Sequence, residues 1–384
     1  MNNPTTSMME SSRSFLEQRP KEVIPVTCPA EDIHGPPIVP FVGNFTFHEF
    51  ATILSGACGV LSIIIVGTLV ILHAFNYSNP VQQRQIIRII LLIPWVALFS
   101  FLVVWQEAAG EYLAPSLDLG CSIALSSFLL FMCDLVLAHR EGFDNLFGEG
   151  AQAKGAINTK SPAWMKRMWY SVLQFIPVSV GLWLATVATL VTGTYCKQSN
   201  STHFAHIWLE ILDAVTTTVA ILHSVSFYNR NKELLKKHQI LLKLFTFKSV
   251  LGLNFFQSFV ISLLAGHGKL RPNKYMTFHD INTGLASLIL AVEMPIFAAL
   301  MVIAFSPLPY KYQGGGPAAS PLNALVDACD ISDLLSAFFR GPMRLVREQQ
   351  RQILRQDSMK ILLVSSEHGS EERVDKVRMV SKAV

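Results

Sequence analysis

Residues 287–305 read SLILAVEMPIFAALMVIAF, apolar enough to cross a bilayer yet carrying Glu293 close to the middle. A carboxylate at that depth costs about 3 kcal/mol on insertion scales. Two residues later Pro295 lacks an N–H, so the carbonyl of Ala291 loses its helical partner. Lipid offers no hydrogen bonds, and other helices or a wet cavity must satisfy both groups. This stretch therefore calls for a membrane-embedded bundle built around a polar point.

The rest of the chain is suited to that. Of 384 residues, 51% are hydrophobic and only 15% charged, with a mean hydropathy of +0.39, unlike an ordinary soluble domain. Six cysteines are scattered with no Cys-x-x-Cys, which indicates neither a disulfide framework nor a zinc knuckle. The formal charge of +4 is small, and nucleic acid is not an expected partner. Residues 1–48 are polar and Pro-rich with no apolar core of a signal peptide, so the first span is expected to act as its own export signal.

Seven segments have the roughly 20 residues a crossing needs: about 50–72, 89–106, 119–138, 169–192, 204–227, 241–265 and 281–305. The loops after the first, third and fifth carry twelve Lys and Arg, among them Arg84 and Arg88; those after the second, fourth and sixth carry four. By the positive-inside rule the first set faces the cytosol. The expected fold is an all-α integral membrane protein of seven transmembrane helices, with the N-terminus outside or lumenal and the C-terminus cytosolic. Its parts are a polar tail (1–48), a helical domain (49–306) and a cytosolic tail (307–384). No internal repeat is evident, which speaks against an inverted-repeat transporter.

Polar residues inside the spans are the candidate site. His206, Glu210, Asp213, Thr217, Ala220 and Ser224 step by four and three, and so share one helical face. The face reads either as a wet, acidic groove or as interhelical hydrogen-bond glue. Lys248 reads either as snorkelling to the cytosolic interface or as pairing with Glu293 or Asp134. Gln257 adds hydrogen-bonding capacity to the outer half of the same span. His203, His206 and Glu210 have metal-ligand spacing, but no other His-rich segment completes a set, so no metal or other cofactor is expected.

Cys121 and Cys196 fall on the oxidising side and are disulfide candidates, with Cys28 a competing partner. Asn44 and Asn200 begin outward-facing sequons and are candidate glycosylation sites. In the tail, Ala328, Ile331, Leu334, Leu335 and Phe338 fall on one helical face beside Asp327, Asp330 and Asp333, and residues 327–339 read as a docking helix for a cytosolic partner. Arg344, Arg347, Arg351 and Arg355 form a basic stripe, either a lipid-headgroup contact or a solvated helix face.

A seven-span receptor is a weaker reading: Ala138-His139-Arg140 stands where Asp/Glu-Arg-Tyr would, and no Asn-Pro-x-x-Tyr closes the last span. No His-Glu-x-x-His, Gly-x-Ser-x-Gly or phosphate loop proposes an enzyme.

Several stretches resemble the family of the organic solute transporter α-subunit and transmembrane protein 184. Gln83-Arg84-Gln85-Ile86-Ile87-Arg88-Ile89 into Ile93-Pro94 is similar to that family's entry to its second helix. Phe227-Tyr228, Glu233-Leu234, Lys243-Leu244-Phe245, Phe256-Gln257, Glu293-Met294 and Tyr310-Lys311-Tyr312 continue the likeness in order. Gly120-Cys121-Ser122-Ile123-Ala124 and the loop 142–161 depart from it, as a divergent member would.

The resemblance implies facilitated transport of amphipathic organic solutes, such as sterol- or lipid-like anions, across a vacuolar, endosomal or plasma membrane. It also implies a single-span partner subunit, or a homo-oligomer in its place. The runner-up it implies is a membrane scaffold recruiting cytosolic proteins through its tail. In the transporter reading Glu293 and Lys248 form a charged site, Gln257 bonds near it, Glu210 and Asp213 line a groove, and Arg84 and Arg88 meet anionic solute or lipid at the cytosolic mouth.

Overall fold

The computed structural model describes Cys28 and residues 39–139, 142–147, 162–197, 201–236, 240–266, 269–311, 320–342 and 345. The long helices are α1 (Phe47–Phe75), α2 (Pro80–Ile90), α3 (Leu92–Trp105), α4 (Ser116–Leu137), α5 (Ala163–Leu173), α6 (Phe175–Val191), α7 (Ala205–Arg230), α8 (Ile240–Gly266) and α9 (Leu285–Ala304). A π-helical turn, Asp280–Gly284, leads into α9, and two short tail helices follow, α10 (Pro321–Cys329) and α11 (Ser332–Arg340). Among the described residues no strand forms; Val42 and Phe45 make an isolated bridge.

Proline sets the breaks. Pro94 and Pro177 leave the carbonyls of Ile90 and Leu173 without helical donors, and each helix turns tightly three residues before its proline, at Leu91 and at Gln174. Two expected spans are thus stacked pairs, α2–α3 and α5–α6. Pro295 does not break α9, which continues through it. Six segments are long and apolar enough to cross a membrane: Phe47–Phe75, Pro80–Trp105, Glu107–Leu137, Ala163–Val191, Ala205–Arg230 and Asp280–Tyr310. The chain is a multi-pass membrane protein. Helix α8 is a further 27-residue helix, packed along α9.

Helices α1, α3 and α9 pack on one another, α2 lies on α4, and α7 lies against α4, α5 and α6. Val66, Ile93, Ala97, Phe128, Met294 and Met301 fill the core, while Ile64, Leu184, Val191, Ile296 and Ile303 point outward, as lipid-facing residues do. Close approach is fixed at Gly120, where an added Cβ would lie 2.3 Å from the Trp95 ring. That indole is held by its own hydrogen bond to the Ser116 carbonyl (2.8 Å) and cannot yield freely. Gly120→Ala should therefore lower stability by about 1–3 kcal/mol through overpacking, read as a fall in unfolding temperature of the detergent-solubilised protein.

The two ends of the bundle are tied differently. At one, Cys28 is bonded to Cys196. Beside it the Val39 N–H donates to the Lys274 carbonyl (2.9 Å), and Lys197 Nζ donates to Thr283 Oγ1 (3.0 Å). The Cys121–Cys196 candidate pair is thus corrected: Cys121 is a free thiol packed inside α4. Asn44 is exposed in the turn before α1, and Asn200 lies outside the described residues. At the other end His73 Nε2 donates to the Phe305 carbonyl that closes α9 (2.8 Å), and Ser78 Oγ donates to the Tyr310 carbonyl (3.1 Å).

Candidate functional site

Glu293 sits eight residues into α9, about 12 Å along its axis. Gln257, on the facing side of α8, donates from Nε2 to Glu293 Oε1 at 2.5 Å. The expected partner of Glu293 is Lys248, with Gln257 only near the site; the contact found is with Gln257. Their remaining oxygens, Glu293 Oε2 and Gln257 Oε1, are buried without a hydrogen-bond partner. Two open acceptors in apolar surroundings call for a donor that the described residues do not supply. The side chains of Lys248 and Asn254 lie outside the described residues, and so does the expected pairing of Lys248.

The stripe on α7 is graded in burial. From Ser224 and Ala220, which are buried, it passes through half-buried Thr217 and Asp213 to exposed Glu210, and is buried again at His206, whose Nε2 lies 2.8 Å from Glu210. Asp213 Oδ1 and Thr217 Oγ1 have no hydrogen-bond partner. Asp213 and Asp118 of α4 are close enough to feel each other's charge, and Asp118 was not singled out from sequence because it stands at a span end. The polar face thus runs along α7 on a different flank of the bundle from the Gln257–Glu293 contact.

Arg84 and Arg88 do not stand open at a mouth; the chain's own tail occupies them. The Arg88 side chain is 2% exposed and its Nη1 lies 2.9 Å from Asp333 Oδ1. Its Nε donates to the Ala328 carbonyl (2.7 Å), and Nη2 to the carbonyls of Asp330 (2.5 Å) and Asp327 (3.3 Å). Arg84 pairs with Asp327 (3.2 Å) and Asp333 (3.3 Å). Gln85 Nε2 donates to Asp333, Tyr77 Oη to Asp327 (2.6 Å), and Trp169 Nε1 to the Ala337 carbonyl (2.9 Å). The guanidinium matches a ring of orphan carbonyls at the α10–α11 corner, which explains why arginine rather than lysine stands at 88.

This corrects the reading of residues 327–339 as a free docking helix. Ala328, Leu334 and Ala337 are buried against the bundle, while Leu335 and Phe339 face outward. Arg344, Arg347, Arg351 and Arg355 lie outside the described residues. A cavity of about 180 Å³ remains between the tail and α2, α4 and α5, lined by Arg84, Gln85, Asp134, Trp169 and Asp333.

Burial alone would push the Asp333 carboxyl up, but the hydrogen bond and charge of Arg88, then the charge of Arg84, hold it below the usual carboxylate range. A depressed native pKa gives stability above the unfolded pKa of about 3.9, lost as pH falls through the native value. A spin label on exposed Cys329 should keep one mobility from neutral pH down to about pH 4 and gain mobility below it as α10–α11 detach.

Residues 51–310 match the family of the organic solute transporter Ostalpha, more than half of the chain. The chain belongs to that family. It is 22% identical to Protein LAZ1 of Arabidopsis thaliana over 301 residues, covering 70% of this chain and 60% of that protein. It is 23% identical to Vacuole membrane protein hfl11 of Schizosaccharomyces pombe (64% and 59% covered), and 24% identical to a transmembrane protein 184 homolog of Dictyostelium discoideum (65% and 51%). The matched region thus spans between half and three fifths of each of these relatives. No solved structure matches. The family is one of organic solute transporters rather than an enzyme class.

Proposed function

We propose that this chain is a seven-helix carrier of amphipathic organic solutes, sterol- or lipid-like, moving them by facilitated transport past the Gln257–Glu293 contact. In this reading α8 is the seventh crossing, the N-terminal side is extracytosolic and the tail is cytosolic. Three contacts bear on it: the Cys28–Cys196 bond, the Val39–Lys274 hydrogen bond and the Lys197–Thr283 hydrogen bond. The two hydrogen bonds join segments that share a side only if α8 crosses, whereas Cys28 and Cys196 both precede α8 and share a side in either case. The Lys and Arg bias makes the opposite side cytosolic.

The observation that carries the proposal is the pair of unsatisfied acceptors, Glu293 Oε2 and Gln257 Oε1, between α8 and α9. A hydroxyl- or amide-bearing end of an amphipathic solute supplies the donors they lack. Its anionic end is kept from the carboxylate by like charge. In proteoliposomes, Gln257→Leu should cut uptake of a labelled hydroxylated sterol conjugate at least about tenfold, the loss of one buried hydrogen-bonding pair. Unchanged uptake would remove the pair from the path. A family relative is named a vacuole membrane protein, and a vacuolar or endosomal membrane is the location this reading favours.

A second reading, a scaffold acting through its tail, is favoured by one observation: Leu335 is 43% and Phe339 80% exposed on the docked hairpin. Deleting residues 330–384 would not separate the two readings, since it strips Arg88 of Asp333. Leu335→Ser with Phe339→Ser leaves that pair intact. A carrier keeps its flux in this variant; a scaffold loses the cytosolic proteins that co-purify with it.

A further inference from the structure

Two segments distant in sequence begin their helices with the same four-residue pattern: Thr46-Phe47-His48-Glu49 before α1 and Thr277-Phe278-His279-Asp280 before α9. Both fold as reciprocal caps. Glu49 N–H donates to Thr46 Oγ1 (3.3 Å) while Thr46 N–H donates to Glu49 Oε2 (2.9 Å). Asp280 N–H donates to Thr277 Oγ1 (3.1 Å) while Thr277 N–H donates to Asp280 Oδ2 (2.9 Å). Each cap fixes the first turn of its helix and with it the histidine inside that turn. The second cap runs into the π-helical turn at Asp280–Gly284, a distortion frequent at functional sites.

The capped ends lie side by side. His48 Nδ1 stands 3.2 Å from Glu107 Oε1 and 3.8 Å from Asp280 Oδ1, and one ligand-type atom from each of the three residues lies within 4.8 Å of the others. Asp280 is nearly closed off, with a side-chain exposure of 4%. His48 Nδ1 makes no hydrogen bond that meets normal geometry. The neighbouring His279, 9% exposed, packs its ring on Gly110 and leaves Nε2 buried without a partner. Two carboxylates and an imidazole nitrogen thus converge from three elements, with one more imidazole nitrogen unpaired beside them.

We propose that His48, Glu107 and Asp280 form a divalent transition-metal site, best suited to zinc, on the side of the bundle that bears the Cys28–Cys196 bond. Bonds of about 2.0–2.1 Å in a tetrahedron set ligand atoms about 3.3 Å apart, which the 3.2 Å from His48 to Glu107 matches and the 3.8 Å to Asp280 exceeds by about half an ångström. Two carboxylates offset both charges of the ion, and the imidazole nitrogen favours zinc over calcium or magnesium, which take oxygen ligands. The bound ion fastens the starts of α1 and α9 to the segment after α3, the three helices that pack on one another. The two readings of the cluster are distinct: a metal site, or a protonated His48 bridging two carboxylates by charge alone. The first fixes a metal ion; the second takes up none.

The test uses the purified full-length protein in nanodiscs, stripped with chelator and equilibrated with zinc alone. The proposal expects one zinc per chain, retained on desalting, and an unfolding temperature that rises with zinc concentration. With cobalt in place of zinc it expects the visible absorption of a tetrahedral site. His48→Gln and Asp280→Asn should lose the stoichiometric zinc and the thermal shift. Glu107→Gln, at the most exposed ligand and the least prone to disturb folding, should lose the shift while keeping the metal-free unfolding temperature. Absence of saturable uptake by the folded protein, or uptake that survives Glu107→Gln and disappears instead with His203→Ala and His206→Ala, would overturn the assignment. A thermal shift of equal size with calcium or magnesium would overturn the choice of zinc.

Discussion

Arg88→Ala is expected to destabilise the protein by about 3–5 kcal/mol, the cost of breaking a buried ion pair by removing one partner. It is also expected to release the tail hairpin. The guanidinium is 2% exposed and joins Asp333 and three carbonyls of the α10–α11 corner to Gln85. Alanine leaves those carbonyls without the guanidinium and leaves Arg84 as the charged partner of Asp333, beside the Gln85 amide. Lysine at 88 restores the charge but cannot reach all four acceptors in one plane, so Arg88→Lys should recover only part of the loss. Denaturant unfolding gives the energy; proteolysis within residues 320–340 gives the docking. A hairpin that stays protected in Arg88→Ala would show that apolar contacts of Leu334 and Ala337 hold it without the arginine.

The second large effect has opposite signs in stability and activity. Glu293→Leu should abolish solute flux while making the protein more resistant to unfolding. A carboxylate in mid-bilayer costs about 3 kcal/mol, and one hydrogen bond from Gln257 offsets little of it, since such bonds between membrane helices average about 0.6 kcal/mol. Pairing it with Gln257→Leu removes the amide left unsatisfied and should add to the stability. A residue retained against its own stability cost is what a functional group in a membrane looks like. If Glu293→Leu instead lowered the unfolding temperature with flux intact, the glutamate would be a structural fastening.

Much of this was legible in the sequence. Runs of about 20 apolar residues locate membrane helices because lipid leaves the backbone no alternative. The same constraint called for a partner to Glu293 on a neighbouring helix, but the sequence put Lys248 forward for that place and Gln257 only near it; the contact found is with Gln257. The Lys and Arg counts say nothing of individual roles, and there the reading of Arg84 and Arg88 failed. Their partners lie some 240 residues away in the tail, and an amphipathic pattern tells which face is buried without telling against what. The Cys28 pairing stayed open for the same reason: spacing in sequence carries no three-dimensional distance. His48, Glu107 and Asp280 each stand at a helix end, where charged residues are ordinary; only the fold brings them together. The echo of Thr-Phe-His-Glu in Thr-Phe-His-Asp was present in the sequence but too short to read as a repeat.

The account rests on α8 crossing the membrane so that Gln257 meets Glu293 midway. Side-specific labelling of Lys274→Cys, in sealed vesicles and in a background lacking the exposed Cys329, tests this directly. A reagent that cannot cross the membrane should modify position 274 from the side on which position 197 is modified, and a cysteine at position 84 should stay unmodified from that side. Modification of position 274 only from the side of position 84 would mean that α8 does not cross, and the Gln257–Glu293 path would have to be abandoned.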